Sequence, residues 1–179
     1  MPGDCMRLIG ATTLLMLASA LSAQASDMPG RKPGLWKVKT TIANAGTAPR
    51  VVQQCIDAAT DQMLQSSAGP YDAAACSARE LHRAADSFTI DSICPVGGKS
   101  AAAHAVVTGS FDSAYTMTVT SRGEELPGGE MIMTMQGEWI GACAAGQIPG
   151  DVVMDNGIKI NLPEMRKRAL SPIDQPAAR

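Results

Sequence analysis

Apolar and polar positions alternate over most of this chain. From Leu35 to Ile42, Trp36, Val38 and Thr40 fall on one side of an extended segment, and Leu35, Lys37 and Lys39 on the other. That period of two predicts a strand with one wet face. Val51–Ile56 is a second strand. Asp57 then opens a run of alanines and good helix formers that reaches Leu64, the pattern of a short N-capped helix. The stretch SSAGPYD breaks it. Three further strands are expected at Cys76–Ala84, Ser87–Cys94 and Lys99–Phe111. In the second of these, Phe88, Ile90 and Ser92 share a side. Ala101 to Ala105 suit a helix on propensity alone, but the Pro95-Val-Gly-Gly98 turn before them and the Val106-Val-Thr108 ending predict a hairpin. The strongest pair comes next. Ala114–Arg122 and Met131–Gly141 both alternate, and they flank the turn-rich GEELPGGE.

Short strands divided by turn signals, with no long helices between them, predict a mainly β fold. The expected form is an antiparallel curved sheet, barrel-like or sandwich, with one short helix. Residues 146–179, rich in Pro and Gly and carrying Arg166-Lys-Arg168, are expected to form a loosely ordered tail with one short helix from Pro163 to Leu170.

The first residues read as an export signal. Arg7 precedes an uncharged apolar run from Leu8 to Ala23, and Ala23-Gln24-Ala25 has the small-x-small form of a cleavage site. The run is shorter than the roughly 20 residues of a membrane span. The expected organisation is therefore a signal peptide at 1–25, a β-rich domain at 26–145 and a tail at 146–179, with the mature chain starting at Ser26 in the periplasm. With 15 basic and 17 acidic residues and a pI near 5.6, the chain lacks the basic footprint of a nucleic-acid binder.

Cleavage would leave four cysteines, Cys55, Cys76, Cys94 and Cys143. An even number in an oxidising compartment predicts two disulfides. Cys55–Cys76 and Cys94–Cys143 are the expected pairs, since each joins neighbouring strands or loops. Loops of those lengths are worth roughly 3 and 4 kcal/mol, which matters in a chain with only 3% aromatic residues. A four-cysteine zinc site would want a C-x-x-C pair, and none exists.

Met131, Met133 and Met135 occupy alternate positions. In a strand they share a face, beside Tyr115, Met117 and Val119 of the partner arm, with the threonines outward. Thioethers bind Cu(I), but neighbours on one strand face sit about 7 Å apart, too far to hold one ion without a bend. Flexible methionine suits a core short of aromatics, so packing is the expected role. His82 and His104 lie in strand segments with Asp86 and Asp91 nearby, but no hydrolase motif surrounds them. Gly97-Gly-Lys-Ser100 lacks the first glycine of a phosphate loop, because position 93 is Ile. Glu124, Glu125 and Glu130 read as a solvated hairpin tip, and Arg166-Lys-Arg168 is too small a cluster to attach the chain to lipid. No catalytic residue, metal site or cofactor is expected.

KPGLW before a Lys/Thr-rich strand, a cysteine closing the next strand ahead of a short helix, Cys76 and Cys94 around a hairpin, and YTMTV and MTMQGEWIGAC at the end resemble the domain of unknown function 3617 family of exported proteobacterial proteins. The resemblance covers residues 31 to 143. It implies export, a β-rich fold and paired cysteines, and no catalytic residues. The chain departs from the family's pattern by continuing past Cys143.

Two functions follow. One is a non-enzymatic binding or interaction module, holding a small apolar ligand or a protein partner in a site lined by Trp36, Tyr115, Met117, Met133 and Trp139. The alternative is a periplasmic enzyme with a site not visible in the sequence, or a weak Cu(I) binder.

Overall fold

The computed structural model describes residues 28–43, 45–67 and 76–170. The alternating segments are strands: β1 (Gly34–Ile42), β2 (Arg50–Ile56), β3 (Ala78–Arg83), β4 (Ser87–Val96), β5 (Lys99–Ser110), β6 (Ala114–Arg122) and β7 (Glu130–Gly141). Between β2 and β3 lies α1 (Ala58–Ser67). Asp57 caps it reciprocally with Thr60. The Asp57 carboxylate accepts the Thr60 N–H at 2.8 Å, and the Asp57 N–H is donated to the Thr60 hydroxyl at 2.9 Å.

All strands are antiparallel and form one sheet in the order β3-β4-β5-β6-β7-β1-β2-β8-β9. This is the expected mainly β fold, as a single sheet that does not close. The β4–β5 connection is a two-residue turn in which Gly97 and Gly98 have φ of 57° and 86°. Two successive positive φ values are what a type I′ hairpin requires.

Registers sort the side chains into a dry and a wet face. Met117 pairs with Met135 and Val119 with Met133, while Thr118 pairs with Thr134 on the other side. The methionine register expected from the sequence is therefore the one adopted. Val107, Ala105, Ile90, Trp36 and Val38 continue the dry face across the neighbouring strands. Leu64 of α1 packs there with Trp36, Val38, Ile56 and Val152. The sheet curls: α1, which follows β2, and β3 at the far edge both border one cavity of about 290 Å³, to which Asp61, Gln65 and Arg79 contribute.

Two features differ from the sequence expectation. The disulfides are Cys55–Cys143 and Cys76–Cys94, not Cys55–Cys76 and Cys94–Cys143. Strand order explains the change. β2 and β7 flank β1, and Leu35 lies between Cys55 and Gly141. Cys143 therefore reaches Cys55 across the end of β1. Cys76 sits opposite Cys94 because Ser77 donates its N–H to the Ile93 carbonyl. The segment after residue 146 also carries two strands that were not expected, β8 (Asp151–Met154) and β9 (Lys159–Asn161), before the expected short helix, α2 (Leu162–Leu170). β8 extends the sheet from β2, and Ile160 and Leu162 pack on the Trp36 cluster. Strands of three and four residues are too short to show a period. The expected signal peptide and the last nine residues lie outside the described residues.

Candidate functional site

The three aromatic candidates gather at one end of the dry face. β1 and β7 place Trp36 opposite Trp139, and the Trp36 and Tyr115 rings are 5.7 Å apart. Phe111 lies edge-on to Tyr115 at 4.9 Å and leads to Phe88 at 5.7 Å. The Tyr115 ring lies against Gly137 of β7, where an added Cβ would clash with it, so a larger residue there would force the ring to shift. Both indoles are anchored. Trp36 donates to the Lys32 carbonyl at 2.8 Å and is 0% exposed. Trp139 donates to the Pro33 carbonyl at 3.1 Å, and the Lys32 ammonium sits 3.6 Å from its ring centroid. The aromatics thus build the end wall of the face.

Behind them lies a buried polar network that the sequence did not reveal. Arg31 is 7% exposed and Asp61 1%. Arg31 donates to Asp61 twice, from its backbone N–H and from Nε, both at 2.7 Å. Its Nη1 reaches Gln54 at 2.8 Å and the Tyr115 hydroxyl at 3.4 Å. Gln65 donates a third 2.7 Å bond to Asp61. Burial raises the Tyr115 pKa above its ordinary value, an effect partly offset by the Arg31 charge and its hydrogen bond. Arg31 reads in the sequence as part of a basic turn, and Asp61 as a polar position early in a helix. Only the curl of the sheet brings them together.

Met117 and Met133, the remaining candidates, lie beyond this wall. Met133 and Met135 are buried, while Met117, Val119 and Met131 are half-buried. The dry track ends at Ser121, whose hydroxyl is fully buried and has no hydrogen-bond partner.

The wet face holds both histidines. Asp91, His104 and Thr120 are in register across β4, β5 and β6. His104 Nδ1 is 2.7 Å from an Asp91 oxygen, with the two side chains 51% and 49% exposed. They line a shallow cavity of about 320 Å³ with Glu80 and Arg122. Glu80 also lies 3.7 Å from His82. Among the described residues no three His, Cys, Asp or Glu side chains converge as a metal-binding group.

The architecture defines a class: a single open antiparallel sheet, braced by two disulfides, with one apolar face and one polar face. The chain belongs to the family described as "Protein of unknown function (DUF3617)", whose model matches residues 31–143. The matched stretch opens on buried Arg31 and closes on Cys143 of the first disulfide, so β8, β9 and α2 follow it. No curated protein and no solved structure matches the chain.

Proposed function

We propose that this chain is an exported binding module, cleaved after Ala25 and acting in the periplasm, whose dry sheet face seats a small apolar ligand. Met117 and Met133 line the seat, and Trp36, Tyr115 and Trp139 form its end wall. One observation carries the reading. Leu64 of α1 is committed to the Trp36 end, while Met117, Val119 and Met131 stay half-buried farther along the same apolar face. Flexible thioethers adapt to varied apolar shapes. Two disulfides accord with an oxidising compartment. No helix among the described residues is long and apolar enough to cross a membrane. The test is titration of the purified mature chain with N-phenylnaphthylamine, which fluoresces in apolar surroundings. Saturable binding is expected. It should be lost in Val119→Asp on the dry face and kept in Ile132→Asp on the wet face. A folded protein that takes up no probe would refute the proposal.

A second reading, an enzyme, is favoured by the Asp91–His104 contact, since a carboxylate on Nδ1 sets the tautomer of a catalytic histidine. Among the described residues Asp91 is the hydrogen-bond partner of His104, and none of their hydroxyls or thiols hydrogen-bonds the ring's other nitrogen. The pair is half-exposed on an open face, without the water exclusion that strengthens electrostatic catalysis. Hydrolysis of a panel of chromogenic esters that disappears in His104→Gln would support this alternative.

A further inference from the structure

Ser121 is the one described residue with a buried side-chain polar atom that has no hydrogen-bond partner. Leaving a buried hydroxyl unpaired is costly, and in native proteins such an atom calls for an explanation. Its place in the fold supplies one. On the dry face its register neighbours are Ala103 of β5 and Met131 of β7, and Val119 lies two residues back along β6. Leu126, buried in the β6–β7 connection, closes the segment beyond it.

The two ends of the track on β6 therefore differ. At Tyr115 the polar groups satisfy one another through Arg31, Gln54, Asp61 and Gln65. At Ser121 the hydroxyl has no partner in the protein and is fully buried, so an occupant reaches it only by parting the side chains that cover it. Six residues of strand separate these ends, about 20 Å at the rise of an extended chain. Met117 and Val119 lie between them, with Met133 and Met135 alongside. An occupant that satisfies this surface is long and apolar, with one hydrogen-bond acceptor near one end. The acceptor must be neutral. None of the register neighbours of Ser121 is charged, and an ionised head group buried there would lose more in desolvation than one hydroxyl returns.

We infer that the ligand is a single-chain fatty-acyl ester, with its carbonyl oxygen accepting the Ser121 hydroxyl and its chain running along β6 and β7 toward Tyr115. The inference rests on the apolar-seat reading and adds the ligand's chemical class to it.

The experiment displaces bound N-phenylnaphthylamine with methyl dodecanoate, dodecanoate or dodecane, using the mature wild-type chain and Ser121→Ala. For the wild type, the ester should displace the probe at roughly tenfold lower concentration than the alkane, the worth of one hydrogen bond to a buried donor. Ionised dodecanoate should be weaker than the ester. In Ser121→Ala the ester should lose its advantage while probe affinity is unchanged. Without ligand, Ser121→Ala should melt no lower than the wild type, because no internal hydrogen bond is removed. Equal displacement by ester and alkane, or an ester preference that survives in Ser121→Ala, overturns this inference and leaves the apolar seat standing. Dodecanoate matching the ester overturns the neutral acceptor. A marked drop in the melting temperature of Ser121→Ala would reveal an internal partner and overturn it as well. Failure of the wild type to bind the probe sinks the seat and the inference together.

Discussion

Asp61→Asn removes one charge and almost no volume, so it isolates the electrostatics of the buried network. The carboxylate receives three hydrogen bonds of 2.7 Å, two from Arg31 and one from Gln65. The paired side chains are 5% and 1% exposed, so solvent screens them little. An amide has one acceptor oxygen. If it faces Arg31 Nε, the NH₂ group meets the Arg31 backbone N–H and the Gln65 amide, donor against donor. If it flips, Arg31 Nε is the group left facing a donor. In either orientation the guanidinium keeps its charge and loses its counter-charge. Breaking a buried pair by removing one partner costs about 3–5 kcal/mol, a large share of the roughly 5–15 kcal/mol that holds a domain folded. Urea unfolding, followed by circular dichroism and by the fluorescence of buried Trp36, should show the unfolding free energy falling by that amount, as a lower midpoint at an unchanged slope. The double variant Arg31→Leu/Asp61→Leu leaves no unpaired buried charge, and it should be more stable than Asp61→Asn. A single variant that costs less than about 1 kcal/mol, the worth of an exposed pair, would refute the reasoning. So would a double variant that loses the sum of the Arg31→Leu and Asp61→Leu losses, because the cycle would then show no coupling.

Three other outcomes follow from the fold. Peptide mapping without reduction should recover Cys55 joined to Cys143 and Cys76 to Cys94. By chain entropy, removing the first pair (sequence separation 88) should cost about 4.6 kcal/mol and the second (separation 18) about 3.2 kcal/mol; the reverse ranking in melting experiments would contradict this. The Asp57 carboxyl lies below its ordinary value because it accepts hydrogen bonds from Thr60, and at Asp151 burial pushes upward but hydrogen bonds from Asn161, the Ile148 N–H and Lys159 prevail. The unfolded chain therefore binds more protons just below pH 4, so this stability is complete above about pH 4 and lost as pH falls through the folded values; an acid decline equally steep in Asp57→Asn/Asp151→Asn would rule these groups out. Met133→Leu should cost less than about 1.5 kcal/mol in urea titrations, as a volume-conserving core exchange does, and a loss of several kcal/mol would mean that its sulfur does more than pack.

What the sequence disclosed was local. The β6–β7 register was legible because both arms alternate and turn residues separate them, leaving one pairing that puts Met133 and Met135 inside. The α1 cap was legible because Asp57 and Thr60 interact within a single turn. Even the alanine-rich β5 was legible, since its flanking turn outweighed its helix propensity. What stayed hidden depends on which strands neighbour one another at a distance. β1 has β2 on one side and β7, from much later in the chain, on the other. Nothing in the spacing of four cysteines encodes that order, so Cys55 was expected to pair with its nearest neighbour in sequence. The Arg31–Asp61 network has the same origin: it is set by the curl that brings α1 against the segment before β1, and both residues are ordinary polar positions in the sequence.

The nesting of one disulfide inside the other also bears on how the chain matures. Cys55 appears first during synthesis, then Cys76, Cys94 and finally Cys143. An oxidant that meets thiols in order of appearance would join Cys55 to Cys76 while the native partner of Cys55 is still to come. That premature bond would tie β2 to the segment ahead of β3 before β7 exists to take its place against β1. Reaching the final connectivity from there requires a thiolate to attack the wrong bond and exchange it, on a timescale of seconds to hours unless an isomerase assists. A cell lacking disulfide isomerase should therefore accumulate this protein in a misbridged form, even with its oxidase intact.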